Sequence, residues 1–124
     1  EDIFVVVIEY LGHGEVLPEL LEEVRKIPHV LIQKKPDDDA FERTDLADSL
    51  RDRGIRTLLF MGINKSACVL RTAKSAASRD FRIAVASTLV ANGRDCEECG
   101  ADEWYRGHGF VTASSDAFFA AVSA

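Results

Sequence analysis

The chain has 124 residues, 47% of them hydrophobic and 29% charged, with a formal net charge of −6 at pH 7. That length supports one domain with a sizeable core rather than two, and the acidic excess excludes nucleic acid as the expected partner, because phosphate binding needs a basic face. No apolar run approaches the ~18 to 20 residues that cross a bilayer and no basic-then-apolar leader opens the chain, so it reads as a cytoplasmic protein with no membrane partner.

In chain order, residues 3–9 (IFVVVIE) open with an apolar, β-branched run of strand length. Val16, Leu17, Leu20, Leu21, Val24 and Ile27 then place an apolar stripe on one face of a helix. HVLIQ at 29–33 is a second strand. Leu46, Ala47 and Leu50 mark a second helix, with Thr44 placed as its N-cap and Gly54 as its stop. RTLLFMG at 56–62 is a third strand, followed by a helix over about 67–78 with Val69, Ala73, Ala76 and Ala77 inward. RIAVAS at 82–87 is a fourth strand, and a helical segment follows around 96–106. GFVTA at 109–113 and SSDAFFAAVSA supply a short strand and a closing helix that Ser114 or Ser115 caps.

Strands that are apolar at consecutive positions suit burial on both faces. Five rounds of strand and helix predict one αβα three-layer, Rossmann-like domain over residues 1–124, with a mostly parallel sheet and helices on both faces. In such sheets ligands bind at the carboxyl ends of the strands, which here means the loops at 10–15, 33–44, 62–67, 87–95 and 112–114.

Cys68 stands among those loops, inside the first turn of the third helix. Unpaired backbone N–H groups and the positive end of the helix dipole favour a thiolate there, and the same amides can hold an oxyanion. A buried thiol that merely packs is the plain alternative. Three cysteines make an odd count, which argues against a disulfide framework and leaves at least one thiol free.

The order of features in KKPDDDAFERTDL and LRDRGIRTLLFMGINKSACVLRTAKSAASRDFRIAVAS resembles the isochorismatase-like cysteine hydrolase superfamily, which includes nicotinamidases and N-carbamoylsarcosine amidohydrolase. Lys35 precedes Ala40-Phe41 and Thr44-Asp45-Leu46, Gly54-Ile55 opens a strand, Gly62 and Ile63 turn, and Cys68-Val69 is followed by Thr72-Ala73. The likeness covers residues 30–90 well and the tail loosely. It implies Cys68 as the nucleophile, attacking a carbonyl or imine carbon to give an acyl-enzyme that water releases. It implies Lys35 as the cation that lowers the thiol pKa, with Lys34 the second choice. Without the likeness, Lys35 would read as a solvated loop lysine.

The family's general base is an aspartate ending the first strand in an Ile-Asp-x-Gln setting, and this chain departs from that pattern. Glu9 occupies the equivalent slot after Ile8, with Leu11 where glutamine is expected. Either IFVVVIEYLGHG is the family's first strand and Glu9 the base, or it is the second strand and the base is absent. The acidic residue expected after the next strand is also missing, with Thr88 in its place. The Asp-x-His metal pattern of nicotinamidases does not occur, so no metal and no cofactor is implied.

Cys96 and Cys99 have redox or zinc spacing, yet His13, His29 and His108 form no ligand-spaced pair with which to complete a zinc site. PDDDAFERTD lacks the glycine and terminal glutamate of a calcium loop and reads as a solvated loop. Two functions follow from the likeness. One is a hydrolase of a small amide or related C–N bond, acting on a small-molecule substrate and self-associating as relatives do. The other is a non-catalytic binding or assembly module of the same fold. A carboxylate within hydrogen-bond reach of the Cys68 sulfur separates them.

Overall fold

The computed structural model describes residues 3–12, 14–63, 65, 67–92 and 101–122. The sequence expectations for Cys96, Cys99 and His13 fall outside the described residues. Within them, strands and helices alternate as β1 (Phe4–Tyr10), α1 (Pro18–Val24), β2 (His29–Lys35), α2 (Leu46–Asp52), β3 (Thr57–Ile63), α3 (Cys68–Ser78), β4 (Arg82–Ala91), α4 (Ala101–His108), β5 (Phe110–Thr112) and α5 (Ser115–Val122).

Every ladder is parallel. β1 pairs with β2 in a register that sets Phe4 opposite His29 and Tyr10 opposite Lys35, so β1 and β2 end together. β4 lies between β3 and β5, with a register shift between Phe60 and Gly62 near the end of β3. A single sheet is the expectation from the alternation of elements. The described residues instead pair as a two-stranded and a three-stranded sheet, joined through a common core.

That core follows from side-chain alternation along strands. On β4, Ile83 and Val85 face a cluster built from Phe41, Leu46 and Leu50, Ala73 and Ala76 of α3, Phe81, and Ala101 and Tyr105 of α4. Ala84 and Ala86 of β4 are buried on the other face, and α5, whose Phe118 is buried, packs against β4 and β5. β4 is therefore covered by helices on both sides, which gives the three-layer α/β arrangement expected from the sequence. Phe4, Val6 and Ile8 of β1 and Leu31 of β2 pack against the same cluster. Each large side chain fully removed from water contributes about 1.5 to 3 kcal/mol, so this shared core outweighs any single polar contact.

Local signals act largely as the sequence dictates. Gly54 adopts φ +72° after α2, and its N–H bonds the Arg51 carbonyl at 2.9 Å, closing the helix as a left-handed C-terminal residue does. Gly109 lets β5 approach β4, since a Cβ there would sit 2.8 Å from the Ile83 carbonyl oxygen. Ser114 caps α5 by accepting the Ala117 N–H at 3.2 Å. Thr44 differs by one residue. Asp45 holds the N-cap position of α2 without a side-chain bond, while the Thr44 hydroxyl accepts the Leu46 N–H at 3.4 Å and donates to the Ala40 carbonyl at 2.7 Å.

Two apolar runs are more exposed than their pattern predicts. No residue of α1 is buried, and Leu17 and Leu20 are 62% and 57% exposed. At the end of β3, Met61 and Ile63 are 58% and 74% exposed, because β3 is an edge of its sheet among the described residues.

Candidate active site

The site forms where β2 and β3 end and α3 begins. Lys35 is the last residue of β2 and only 6% exposed, in contrast to exposed Lys34 beside it. Alternation turns Lys35 inward, where its ammonium donates to the Asp38 carbonyl at 2.7 Å and lies 4.9 Å from the centre of the Tyr10 ring. The register of β1 against β2 brings Tyr10 there.

The segment after Lys35 is a folded turn rather than a solvated loop. Asp37 forms a two-pronged pair with Arg43, both contacts at 2.9 Å. Asp39 accepts the Phe41 N–H at 2.8 Å, the local bond by which aspartate stabilises turns. Thr72, one turn into α3, binds the segment to the helix. Its hydroxyl accepts the Ala40 N–H at 3.1 Å and has the Asp38 carbonyl at 3.3 Å and the Cys68 carbonyl at 2.9 Å as acceptors for its one proton.

These contacts set the Asp38 side chain over the start of α3. The Cys68 thiol donates to Asp38 Oδ1 at 3.5 Å, within the range for a sulfur donor, and Arg71 donates to Asp38 Oδ2 at 2.6 Å. Arg71 is three residues after Cys68 and so shares its helix face. Tyr10 also hydrogen-bonds the Asp38 carboxylate. Cys68 is a free thiol, and the N-cap residue of α3, Ala67, makes no side-chain capping bond.

The electrostatics of the pair are opposed. Burial pushes the Cys68 thiol up, the Lys35 ammonium pulls it down, and the charge and hydrogen bond of Asp38 raise it again, with a net upward shift. Burial also works to raise Asp38. The hydrogen bonds from Cys68 and Tyr10 and the charges of Arg71 and Lys35 outweigh it and hold the carboxyl below its usual range.

The turn that delivers Cys68 is held at Lys65. Its N–H bonds the Ala91 carbonyl at 3.0 Å, its carbonyl accepts the Tyr105 hydroxyl at 3.1 Å, and its ammonium pairs with Asp102 at 3.0 Å. β4 and α4 thus brace the approach to the helix.

Cys68 and Lys35, singled out in the sequence, are brought together across Asp38. Glu9 is placed elsewhere: it pairs in register with Lys34 and lies on the face of β1 opposite to Tyr10. Asp38 and Arg71 are not among the sequence candidates, and Thr72 enters there only within the Thr72-Ala73 pair of the family likeness. Only the position of Asp38 at the carboxyl end of β2, three residues after Lys35, could have drawn attention to it. Among the described residues, no three His, Cys, Asp or Glu side chains gather as a metal site.

Residues 7–98 match the isochorismatase domain family. An uncharacterized isochorismatase family protein of Bacillus subtilis (strain 168) is 38% identical over 80 residues, which are 64% of this chain and 43% of that protein. The chain thus spans less than half the length of that curated relative. The nicotinamidase of Staphylococcus aureus superposes with a TM-score of 0.73 at 25% identity, over 88% of this chain and 74% of that one. An isochorismatase-like hydrolase from Alkaliphilus metalliredigens gives 0.77 at 20% identity, over 98% and 73%. N-carbamoylsarcosine amidase from Thermoplasma acidophilum gives 0.65 at 22% identity, over 90% and 72%. The last two likenesses concern the fold alone. A family match over three-quarters of the sequence, on a chain that folds as these structures do, leads to one assignment: the chain belongs to the isochorismatase family.

Proposed function

We propose that the chain hydrolyses a small amide or related C–N bond, with Cys68 as the nucleophile and Lys35 as the cation that supports its thiolate. The observation that carries this reading is a lysine buried to 6% exposure near a thiol at the start of an eleven-residue helix. A buried ammonium lowers the cost of negative charge on the sulfur, and backbone N–H groups in the first turn of a helix are donors that can hold the oxyanion formed when a carbonyl is attacked. The attack forms a C–S bond, expulsion of the amine leaves a thioester, and water releases the acid. The reading requires no cofactor. It also takes the substrate to be a small molecule, the setting to be the cytoplasm and the working form to be a self-associated one. No helix among the described residues is long and apolar enough to cross a membrane.

Ammonia release from a panel of small amides, nicotinamide and N-carbamoyl amino acids among them, tests the reading. The chain should release ammonia from at least one, and Cys68→Ala should abolish it. Equal rates in the two proteins would remove Cys68 from the chemistry. A second reading, the non-catalytic binding or assembly module, draws on the upward shift of the thiol, which keeps the sulfur neutral at rest. Tight binding of a panel amide with no ammonia released would favour it.

A further inference from the structure

We propose that Asp38 takes the proton of Cys68 and returns it to the leaving nitrogen, the role for which Glu9 is the sequence expectation. This rests on the hydrolase reading above. The two oxygens of Asp38 have separate partners: Oδ1 faces the thiol at 3.5 Å, and Oδ2 is bound by Arg71 at 2.6 Å. A general base acts only within hydrogen-bond reach of the proton it removes, and among the described contacts Asp38 is the carboxylate that meets this condition.

The geometry is held from both sides. The Lys35 ammonium fixes the backbone of Asp38 through its carbonyl, and the Thr72 hydroxyl lies between the carbonyls of Asp38 and Cys68. The neighbouring acids are occupied otherwise, Asp37 with Arg43 and Asp39 with the Phe41 N–H. The Asp38 side chain is about a third exposed, at 32%, and that of Arg71 is 66% exposed, so the carboxylate stands at an open mouth from which an amine can leave.

In the first step the proton moves from Sγ to Oδ1, the sulfur pair forms the C–S bond, and the carbonyl π pair moves to oxygen. Collapse of that adduct breaks the C–N bond, and the nitrogen takes the proton from Asp38. Water then attacks the thioester and gives a proton to Asp38. The C–S bond breaks and the sulfur recovers that proton. The net change is amide plus water to acid plus amine. Arg71 and Tyr10 keep Asp38 ionised between turnovers, and Lys35 and the α3 amides carry the charge once the proton has moved.

The isosteric Asp38→Asn separates this role from a structural one, because two readouts move in opposite directions. With the negative charge removed, iodoacetamide should label Cys68 several-fold faster at pH 7, whereas amide hydrolysis should fall by about 100-fold or more, the usual contribution of a general base. Asp37→Asn should change neither. Labelling that is unchanged or slower in Asp38→Asn overturns the proposal, as does loss of turnover in Glu9→Gln alongside an active Asp38→Asn. If no amide is turned over even by the unaltered chain, the hydrolase reading has failed, and the labelling rate still decides whether Asp38 holds the thiol proton. Arg71→Met supplies an independent check, since losing the guanidinium lets the Asp38 pKa rise. The acid limb of the pH–rate profile should move to higher pH, and an unmoved limb overturns the assignment.

Discussion

At the scale of single residues, the contrast between Lys34 and Lys35 is the most informative. The two are adjacent and identical in chemistry, yet strand alternation exposes one and buries the other against Tyr10 and the Asp38 carbonyl. Lys35→Met should therefore slow iodoacetamide labelling of Cys68 at pH 7 several-fold, because the thiol loses the cation that pulls its pKa down, while Lys34→Met leaves it unchanged. Equal effects of the two substitutions would deny Lys35 its role. The upward shift of the thiol adds a prediction about pH. A group whose pKa is raised stays protonated further up the scale, so the labelling rate should climb steadily from pH ~6 and level off only above the ordinary thiol value of about 8.5. A plateau already at neutral pH would mean that Lys35 and the helix prevail over burial and Asp38.

Elements position these residues through packing that is close on one side of α3 and braced on the other. Ala73 and Ala76 are fully buried, which lets the helix lie near β3 and β4 and carries Cys68 to the ends of the strands. α4 supports the preceding turn through one phenol. Tyr105 is 2% exposed, its hydroxyl donates to the Lys65 carbonyl, and burial together with the charge of Asp102 pushes its pKa up to about 12. Tyr105→Phe should cost about 0.5 to 1.5 kcal/mol, the net value of one such hydrogen bond, measured by urea unfolding. It should also raise the hydrogen-exchange rate of the Lys65 amide. An unchanged exchange rate would mean that the Ala91 carbonyl holds the turn unaided.

At the scale of the whole molecule, apolar surface is distributed unevenly. The core joins both sheets, but Leu17, Leu20, Met61 and Ile63 remain more than half exposed. Exposed apolar side chains bind hydrophobic dyes in native proteins as well as in loosened ones. The folded chain should enhance the fluorescence of such a dye, and the double substitution Leu17→Glu and Leu20→Glu should reduce it with less than about 0.5 kcal/mol of change in stability, as expected for surface positions. A large loss of stability would place these leucines in a buried contact instead.

The alternation of strands and helices, the stop at Gly54 and the inward alanines of α3 were legible in the linear sequence, whereas Lys35 was drawn to Cys68 only by the family likeness. Each depends on the period of the backbone, on a local conformational preference, or on spacing shared with a family. Thr44 shows the limit of local reading, since its hydroxyl bonds the backbone as a cap does but from one residue too early. Three decisions were made only by the tertiary structure. The parallel register of β1 and β2 placed Tyr10 beside Lys35 and turned Glu9 to the other face. Among the described residues the ladders pair as two sheets, and apolar residues at the end of β3 are exposed. The contact of Asp38 with Cys68 spans thirty residues and exists because Thr72 binds the aspartate turn to α3, and the sequence names both partners of such a contact without recording the distance between them.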